Sequence, residues 1–407
     1  MMEKSPFRSF WMAGYECSDK LNAFGNRVDL LQETGHLELI DEDYRLLEHF
    51  NIKTVREGIR WSKVERSPYQ YDWSSVIKMI EAGKRNGIQQ VWDLCHFGFP
   101  DDLTPLHPMF ARRFAALCRS FINLYRTVEP DERVIVTPIN EVGFISWLGG
   151  HARGTSPYCI NQGWEVKYAM MKAYIEGVKA IREMDDNVLI MTTEPLCTTV
   201  PPLDADEATI EIARIVNDYQ FQAMDILTGK ICPELGGSPD LIDIMGANFY
   251  FNNQTILNTG TCLPWLNEND DPRWQPLSQL LKNLYQRYGC PIVLAETSHP
   301  GEHRPNWIEF VGRQCETVLR EDVPFFGICL YPIIDRPDWD QLHIWHRSGL
   351  WDAGFRENKP FERILNLPYA AAVLDAQHRL KQAMQAKLTS LTAEPHSPVL
   401  SRLPSVG

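Results

Sequence analysis

Eight short apolar runs recur along this chain, and most are separated from the next by a stretch with the spacing of an amphipathic helix. The runs are 10–15 (FWMAGY), 54–61 (TVREGIRW), 90–97 (QVWDLCHF), 133–141 (RVIVTPINE), 187–194 (NVLIMTTE), 242–250 (IDIMGANFY), 291–296 (PIVLAE) and 325–332 (FFGICLYP). Helical patterns are expected over 41–50, 73–86, 108–125, 164–184, 205–227, 277–288 and 307–321. Two of them carry clear apolar stripes, Phe110, Phe114, Leu117, Phe121 and Leu124 in one and Tyr168, Met171, Ile175, Val178 and Ile181 in the other. Asp41 is read as an N-cap and Gly87 as the residue just past a helix end. A long loop is expected over 143–162. Strands alternating with helices form parallel βαβ units, and eight such units close an α/β (β/α)8 TIM barrel. The pattern runs without a linker, so the expectation is one catalytic barrel over 7–371. A C-terminal helix and mobile tail are expected over 372–407.

The remaining totals narrow the partners. The net charge of −13 speaks against nucleic acid and anionic membrane, both of which need a basic footprint. The ten cysteines form no C-x-x-C pair and are read as reduced structural thiols. The N-terminal stretch has no apolar h-region and no window is long enough to span a bilayer, so a cytoplasmic protein is expected. No H-E-x-x-H, P-loop or G-x-G-x-x-G is present, and neither metal nor cofactor is expected. The oligomeric state is not legible.

In a TIM barrel the chemistry sits at the C-terminal ends of the strands. Read in order, those ends carry Glu16, Arg56 and Glu57, His96, Asn140 and Glu141, Glu194, Asn248 and Tyr250, Glu296, and Tyr331. Carboxylates, an arginine, a histidine and amides thus converge on one mouth. A pair of carboxylates suits glycoside hydrolysis, which needs an acid on one side of the bond and a nucleophile or base on the other. Glu141 and Glu296 are the favoured pair. Spacing alone leaves Glu57 and Glu194 as competitors.

These segments resemble the retaining β-glycosidases of glycoside hydrolase clan A, and family 1 above all. TVREGIRWSKVE is similar to Y-R-F-S-I-S-W-S-R, with its arginine at Arg56. DLCHFGFPDDL is similar to T-L-Y-H-W-D-L-P, with its histidine at His96. TPINEV resembles T-x-N-E-P, MGANFY resembles G-x-N-Y-Y, and LAETSH resembles I-T-E-N-G. GICLYPIIDRPDW resembles G-Y-F-x-W-S-L-L-D-N-F-E-W, which sets Tyr331 against a tryptophan and Asp338-Trp339 against the closing E-W.

The resemblance implies a β-glucosidase-like enzyme acting on a small glycoside or oligosaccharide through a covalent glycosyl-enzyme. Glu296 would be the nucleophile and Glu141 the acid/base. Arg56 and Tyr250 would hold Glu296, and Asn140 would bind the sugar 2-hydroxyl. Glu16, His96, Asn248, Tyr331, Asp338 and Trp339 would support or contact the sugar. The chain departs from the pattern at Glu16, where the family has glutamine, at Val142 in place of proline, at Thr297-Ser298 in place of N-G, and at Tyr331.

Three rivals stay open. One is a metal hydrolase recruiting His96, His151, His299 and His303. The second is a catalytically silent carbohydrate-binding barrel, and the third a transglycosidase using the same intermediate. Trp147, Tyr158, Trp265, Trp274 and Trp307 are read either as aglycone contacts or as packing residues.

Overall fold

The computed structural model describes residues 4–266, 271–356 and 359–393. Every one of the eight apolar runs forms a strand: β1 (Trp11–Gly14), β2 (Thr54–Gly58), β3 (Gln89–Asp93), β4 (Ile135–Thr137), β5 (Leu189–Pro195), β6 (Ile244–Asn248), β7 (Ile292–Thr297) and β8 (Phe325–Leu330). Each pairs in parallel with its neighbours in chain order, and β1 pairs with β8, so the sheet closes into a (β/α)8 barrel.

Alternation along the strands separates two cores. Met12, Val91, Ile135, Met191, Ile244, Val293 and Ala295 fill the barrel. Trp11, Ala13, Val55, Trp92, Val136, Ile190, Met245 and Leu294 face outward into a larger core shared with the helices. The outer core is rich in aromatic contacts. Trp61, for example, lies 5.4 Å from the Phe114 ring, and both are fully buried.

Four local expectations are corrected. The first helical stretch starts at His36, not Asp41, because Gly35 adopts a left-handed conformation (φ 68°) and turns the chain into His36–Leu46. Asp41 then lies within that helix and accepts from Arg85 and Asn86. The loop expected over 143–162 begins instead with a helix, Val142–Gly150, which buries Val142 and Ile145. The stretch 205–227 is broken into Glu207–Asp218, a 3-10 turn at Tyr219–Phe221 and Gln222–Leu227. The closing helix runs Leu367–Ala393, starting before the expected polar stretch, and it follows an unanticipated hairpin, Trp351–Arg356 with Lys359–Leu365. The expected mobile tail lies, from residue 394 onward, outside the described residues. No helix among them is long and apolar enough to cross a membrane.

The hairpin is tied to the barrel by buried charge. Arg363 donates to both oxygens of Asp43 (2.7 and 2.8 Å), and Asp43 meets His36 Nδ1 at 2.7 Å. The other ring nitrogen of His36 lies 2.9 Å from Glu57 Oε1, which also accepts from the Tyr44 hydroxyl at 2.7 Å. Burial acts to lower the His36 pKa, but the charges and hydrogen bonds of Glu57 and Asp43 outweigh it and raise it to about 9. A folded-state value above the unfolded one of about 6.5 means that protonated His36 stabilises the fold most below that pH. That contribution should fade as pH rises through about 9. Urea titrations across this window should therefore show falling stability, and His36→Gln should flatten the slope. An unchanged slope in the variant would remove His36 as its source.

Candidate active site

The residues that end the strands meet at the C-terminal mouth of the barrel. Arg56, the inward-facing residue near the end of β2, lies at their centre and is fully buried. Its Nη1 donates to Glu296 Oε1 and to the Ala295 carbonyl, both at 2.9 Å. Its Nη2 donates to Asp93 Oδ2 at 2.6 Å and to Asn140 Oδ1 at 3.2 Å. The same Asp93 oxygen lies 2.8 Å from His96 Nδ1, and Asn140 Nδ2 lies 3.2 Å from His96 Nε2. One guanidinium therefore links β2, β3, β7 and the turn after β4.

Glu296 reaches this arginine through an irregularity in β7. Strict alternation would send Glu296 outward, since Val293 and Ala295 face the lumen. The pairing of β7 with β6 shifts register between Leu294 and Glu296, and its pairing with β8 shifts between Leu294 and Thr297. A bulge of this kind re-aims a side chain. Here it turns Glu296 into the mouth, while Thr297 faces out and accepts from Trp307 Nε1 at 2.8 Å. The second oxygen of Glu296 accepts from the Tyr250 hydroxyl at 2.7 Å.

Glu141 takes a different route. Its backbone is left-handed (φ 46°, ψ 58°) and precedes the helix Val142–Gly150. Only glycine and, less often, asparagine or aspartate visit this region readily, so the position is strained. The Glu141 amide is held by the Thr193 carbonyl at 2.9 Å, and its Oε1 accepts from Asn248 Nδ2 at 2.9 Å. Burial, then the charge of Glu296, raise the Glu141 pKa well above the usual carboxylate range.

The rest of the mouth forms a second cluster. His96 stacks on Tyr331 with ring centroids 5.8 Å apart, and the Arg56 guanidinium lies over the Tyr331 ring at 4.9 Å. Tyr331 can lie there only because Gly14 has no side chain: a Cβ on Gly14 would come within 2.0 Å of the ring. Glu16 approaches His96 Nε2 at 3.6 Å and Arg336 Nε at 3.5 Å. Burial acts to raise the Glu16 pKa, but Arg336 and His96 outweigh it and lower it. Burial acts to lower the His96 pKa, and Asp93 and Glu16 outweigh it in turn. Trp339 lies between Lys20 (4.9 Å) and Arg336 (4.6 Å), edge-on to Phe97.

Of the expected site residues, the structure brings together Glu16, Arg56, His96, Asn140, Glu141, Asn248, Tyr250, Glu296, Tyr331 and Trp339. Asp338 serves its own loop instead, accepting from the amides of Asp340 and Gln341 and facing His346 at 3.2 Å. The competing carboxylates fall on the other face of their strands: Glu57 turns outward to His36 and Tyr44, and Glu194 turns to the Gly143 amide. Asp93 was missed because the third run was read as a strand to Phe97, whereas β3 ends at Asp93. Its signal was available, a carboxylate at the end of an apolar strand.

His299 packs against Phe251 and Trp265, with His303 at 5.5 Å between ring centroids. Among the described residues, the group of His, Cys, Asp and Glu compact enough for a metal is Cys17, Asp93 and His96. There the Asp93 oxygen already accepts from Arg56, whose charge opposes a cation. Trp307 and Trp274 are buried packing residues, Trp265 stands edge-on to Trp307, and the Tyr158 hydroxyl donates to the Asn22 carbonyl. Trp147 is 52% exposed and lies on the helix that follows Glu141.

No family model matches the chain, and no curated protein matches it by sequence. Solved structures do. A β-glycosidase from the hyperthermophile Thermosphaera aggregans superposes with a TM-score of 0.69 at 14% identity, covering 86% of this chain and 88% of that one. A family 1 β-glucosidase from Thermotoga maritima gives 0.67 at 16% identity, with coverages of 84% and 87%. A hyperthermophilic β-glucosidase mutant gives 0.70 at 14% identity, with coverages of 91% and 100%. The likeness extends over the whole barrel and is one of fold.

Removing Arg56 should expose how much of the mouth it holds. Arg56→Met leaves Asp93 and Glu296 buried without their shared cation, at an expected cost of about 3–5 kcal/mol. Urea unfolding at neutral pH should show that loss. Part of it should return on acidification, as the stranded carboxylates protonate.

Proposed function

We propose that this chain is a retaining β-glycosidase, with Glu296 as nucleophile and Glu141 as acid/base. The observation that carries the reading is the contrast between the two carboxyl groups. Both Glu296 oxygens act as acceptors, one from Arg56 and one from Tyr250, which suits a carboxylate that attacks carbon. Among the described residues no cation is in hydrogen-bond contact with Glu141, and burial together with the charge of Glu296 favours its protonated form. Two carboxyl groups held in opposite protonation states are what glycoside hydrolysis requires.

In this mechanism Glu296 attacks the anomeric carbon while Glu141 protonates the departing oxygen. A glycosyl ester on Glu296 results. Glu141, now ionised, takes a proton from water as the water attacks the same carbon, and Glu296 leaves as carboxylate. Asn140, fixed between Arg56 and His96, is placed to meet the 2-hydroxyl, and Glu16, His96 and Trp339 the rest of the sugar. The fold supports the same reading, since the three solved barrels described above are β-glycosidases. The Thermotoga maritima enzyme has been solved with isofagomine lactam and with deoxynojirimycin. The expected substrate is a small β-glycoside or oligosaccharide, with water or a second sugar as acceptor.

Glu296→Ala should reduce turnover of an aryl β-glycoside to background while leaving thermal unfolding within a few degrees of wild type. A 2-deoxy-2-fluoroglycoside should label Glu296, read as a mass increase on its peptide. A variant with wild-type rate would defeat the nucleophile assignment, and a folded wild type that neither hydrolyses nor labels would favour the silent barrel. The first-formed product anomer, followed by NMR, should keep the β configuration. Because Glu141 must be protonated to act first, kcat/KM should fall on the alkaline side as it ionises.

A further inference from the structure

Glu194 lies outside the mechanism just described, yet it is buried at the end of β5 beside the acid/base. The structure assigns it a positioning role: its carboxyl group clasps the start of the helix that follows Glu141 at the Gly143 amide, and thereby holds the acid/base backbone and sets the charge behind it. This inference rests on the proposed glycosidase reading for its kinetic consequences but not for its geometry.

Three observations carry it. Glu194 Oε2 accepts from the Gly143 amide at 2.9 Å, and the Val142 amide beside it also favours the charged carboxyl group. Those are first-turn donors that a helix cannot satisfy internally, and a negative group there is favourable. Second, the preceding residue of the same strand, Thr193, accepts from the Glu141 amide. Strand β5 thus grips the chain on both sides of the strained Glu141. Third, the residues at the helix start suit the clasp. Val142 stands where the resembled motif has proline, which has no N–H to give. A Cβ on Gly143 would lie only 2.7 Å from Glu194 Oε2.

The surroundings give Glu194 a charge that can change. Lys167, from the helix Gly163–Met184, faces it and is itself held by Gln222 Oε1 at 2.7 Å. Tyr174 from the same helix, Cys197 beyond the strand and Glu141 across the clasp are the other titratable neighbours. Burial raises the Glu194 pKa to about 7, against the amides and Lys167, which lower it. When ionised, Glu194 pushes the Glu141 pKa up, so it helps keep the acid/base protonated.

The test is a titration of the carboxyl carbons by NMR in protein labelled with 13C-glutamate, with Glu141→Gln used for assignment. In Glu194→Gln, which keeps an acceptor oxygen but not the charge, the Glu141 midpoint should move to lower pH by about 0.5–1 pH unit. The alkaline limb of kcat/KM should move with it. Glu194→Ala and Gly143→Ala, which break or crowd the clasp, should lower kcat about 10–100-fold on glycosides with poor leaving groups. On activated aryl glycosides, where little acid help is needed, they should cost far less. An unmoved Glu141 midpoint in folded Glu194→Gln, or an equal loss across leaving groups in both clasp variants, would overturn the assignment. The NMR titration decides the charge effect even if wild type proves inactive, which would instead overturn the glycosidase reading.

Discussion

A guanidinium enclosed by a barrel is expensive to bury and is retained only where each face of it is used. Both terminal nitrogens and the plane of Arg56 meet that condition, while Nε has no partner among the described residues. Its fork engages Glu296 and the Ala295 carbonyl through one nitrogen and Asp93 and Asn140 through the other, while its plane lies over Tyr331. A lysine, with a single compact charge, could not span these partners. Four strands' worth of functional side chains thus take their positions from one residue, and the residues around it are shaped to admit it. Gly14 leaves space for Tyr331, and Asp93 supplies the second charge that a buried arginine shared with Glu296 requires. His96 then closes the ring by meeting the same Asp93 oxygen and the other side of Asn140.

The fold was legible because it rests on periodicity, which the chain states eight times over. What periodicity does not state is where a strand stops being a strand. Reading the third run through to Phe97 hid Asp93 inside it, although Asp93 is what connects Arg56 to His96. The helix Val142–Gly150 was also hidden. Its three glycines argue against a helix on propensity, and what secures it is tertiary: the buried faces of Val142 and Ile145 and the Glu194 clasp at its start.

The parity of side chains shows both the reach and the limit of the sequence. Adjacent residues of a strand face opposite ways, so Arg56 and Glu57 could never both point into the mouth. Glu57 could have been excluded on that ground, and the buried His36 network shows where it goes instead. Applied to the seventh strand, however, the same rule would have excluded Glu296, because Ala295 points inward. A bulge between Leu294 and Thr297 reverses the outcome. Nothing in PIVLAET announces it. Bulges answer to the register of both neighbouring strands, and register is a property of the closed sheet. The resemblance to I-T-E-N-G points to a residue that alternation alone would have turned away from the mouth.

The departures from the resembled motifs acquire a common physical sense once their partners are visible. Val142 adds a backbone N–H where proline has none, and that N–H favours the charged form of Glu194. Glu16 adds a charge where an amide is usual, and Arg336 and His96 balance it. The first departure adds a donor and the second a charged acceptor, and each finds its complement elsewhere in the fold. Hydrogen bonds to charged groups contribute about 1.5–3 kcal/mol each, roughly twice those between neutral partners. A sugar hydroxyl donating to Glu16 would therefore be held more tightly than by an amide, and a hydroxyl in the wrong orientation would leave a buried charge short of donors. On the proposed reading, the end of the sugar that meets Glu16, His96 and Trp339 is where this barrel discriminates, while Arg56, Asn140 and the two glutamates serve the reacting carbon.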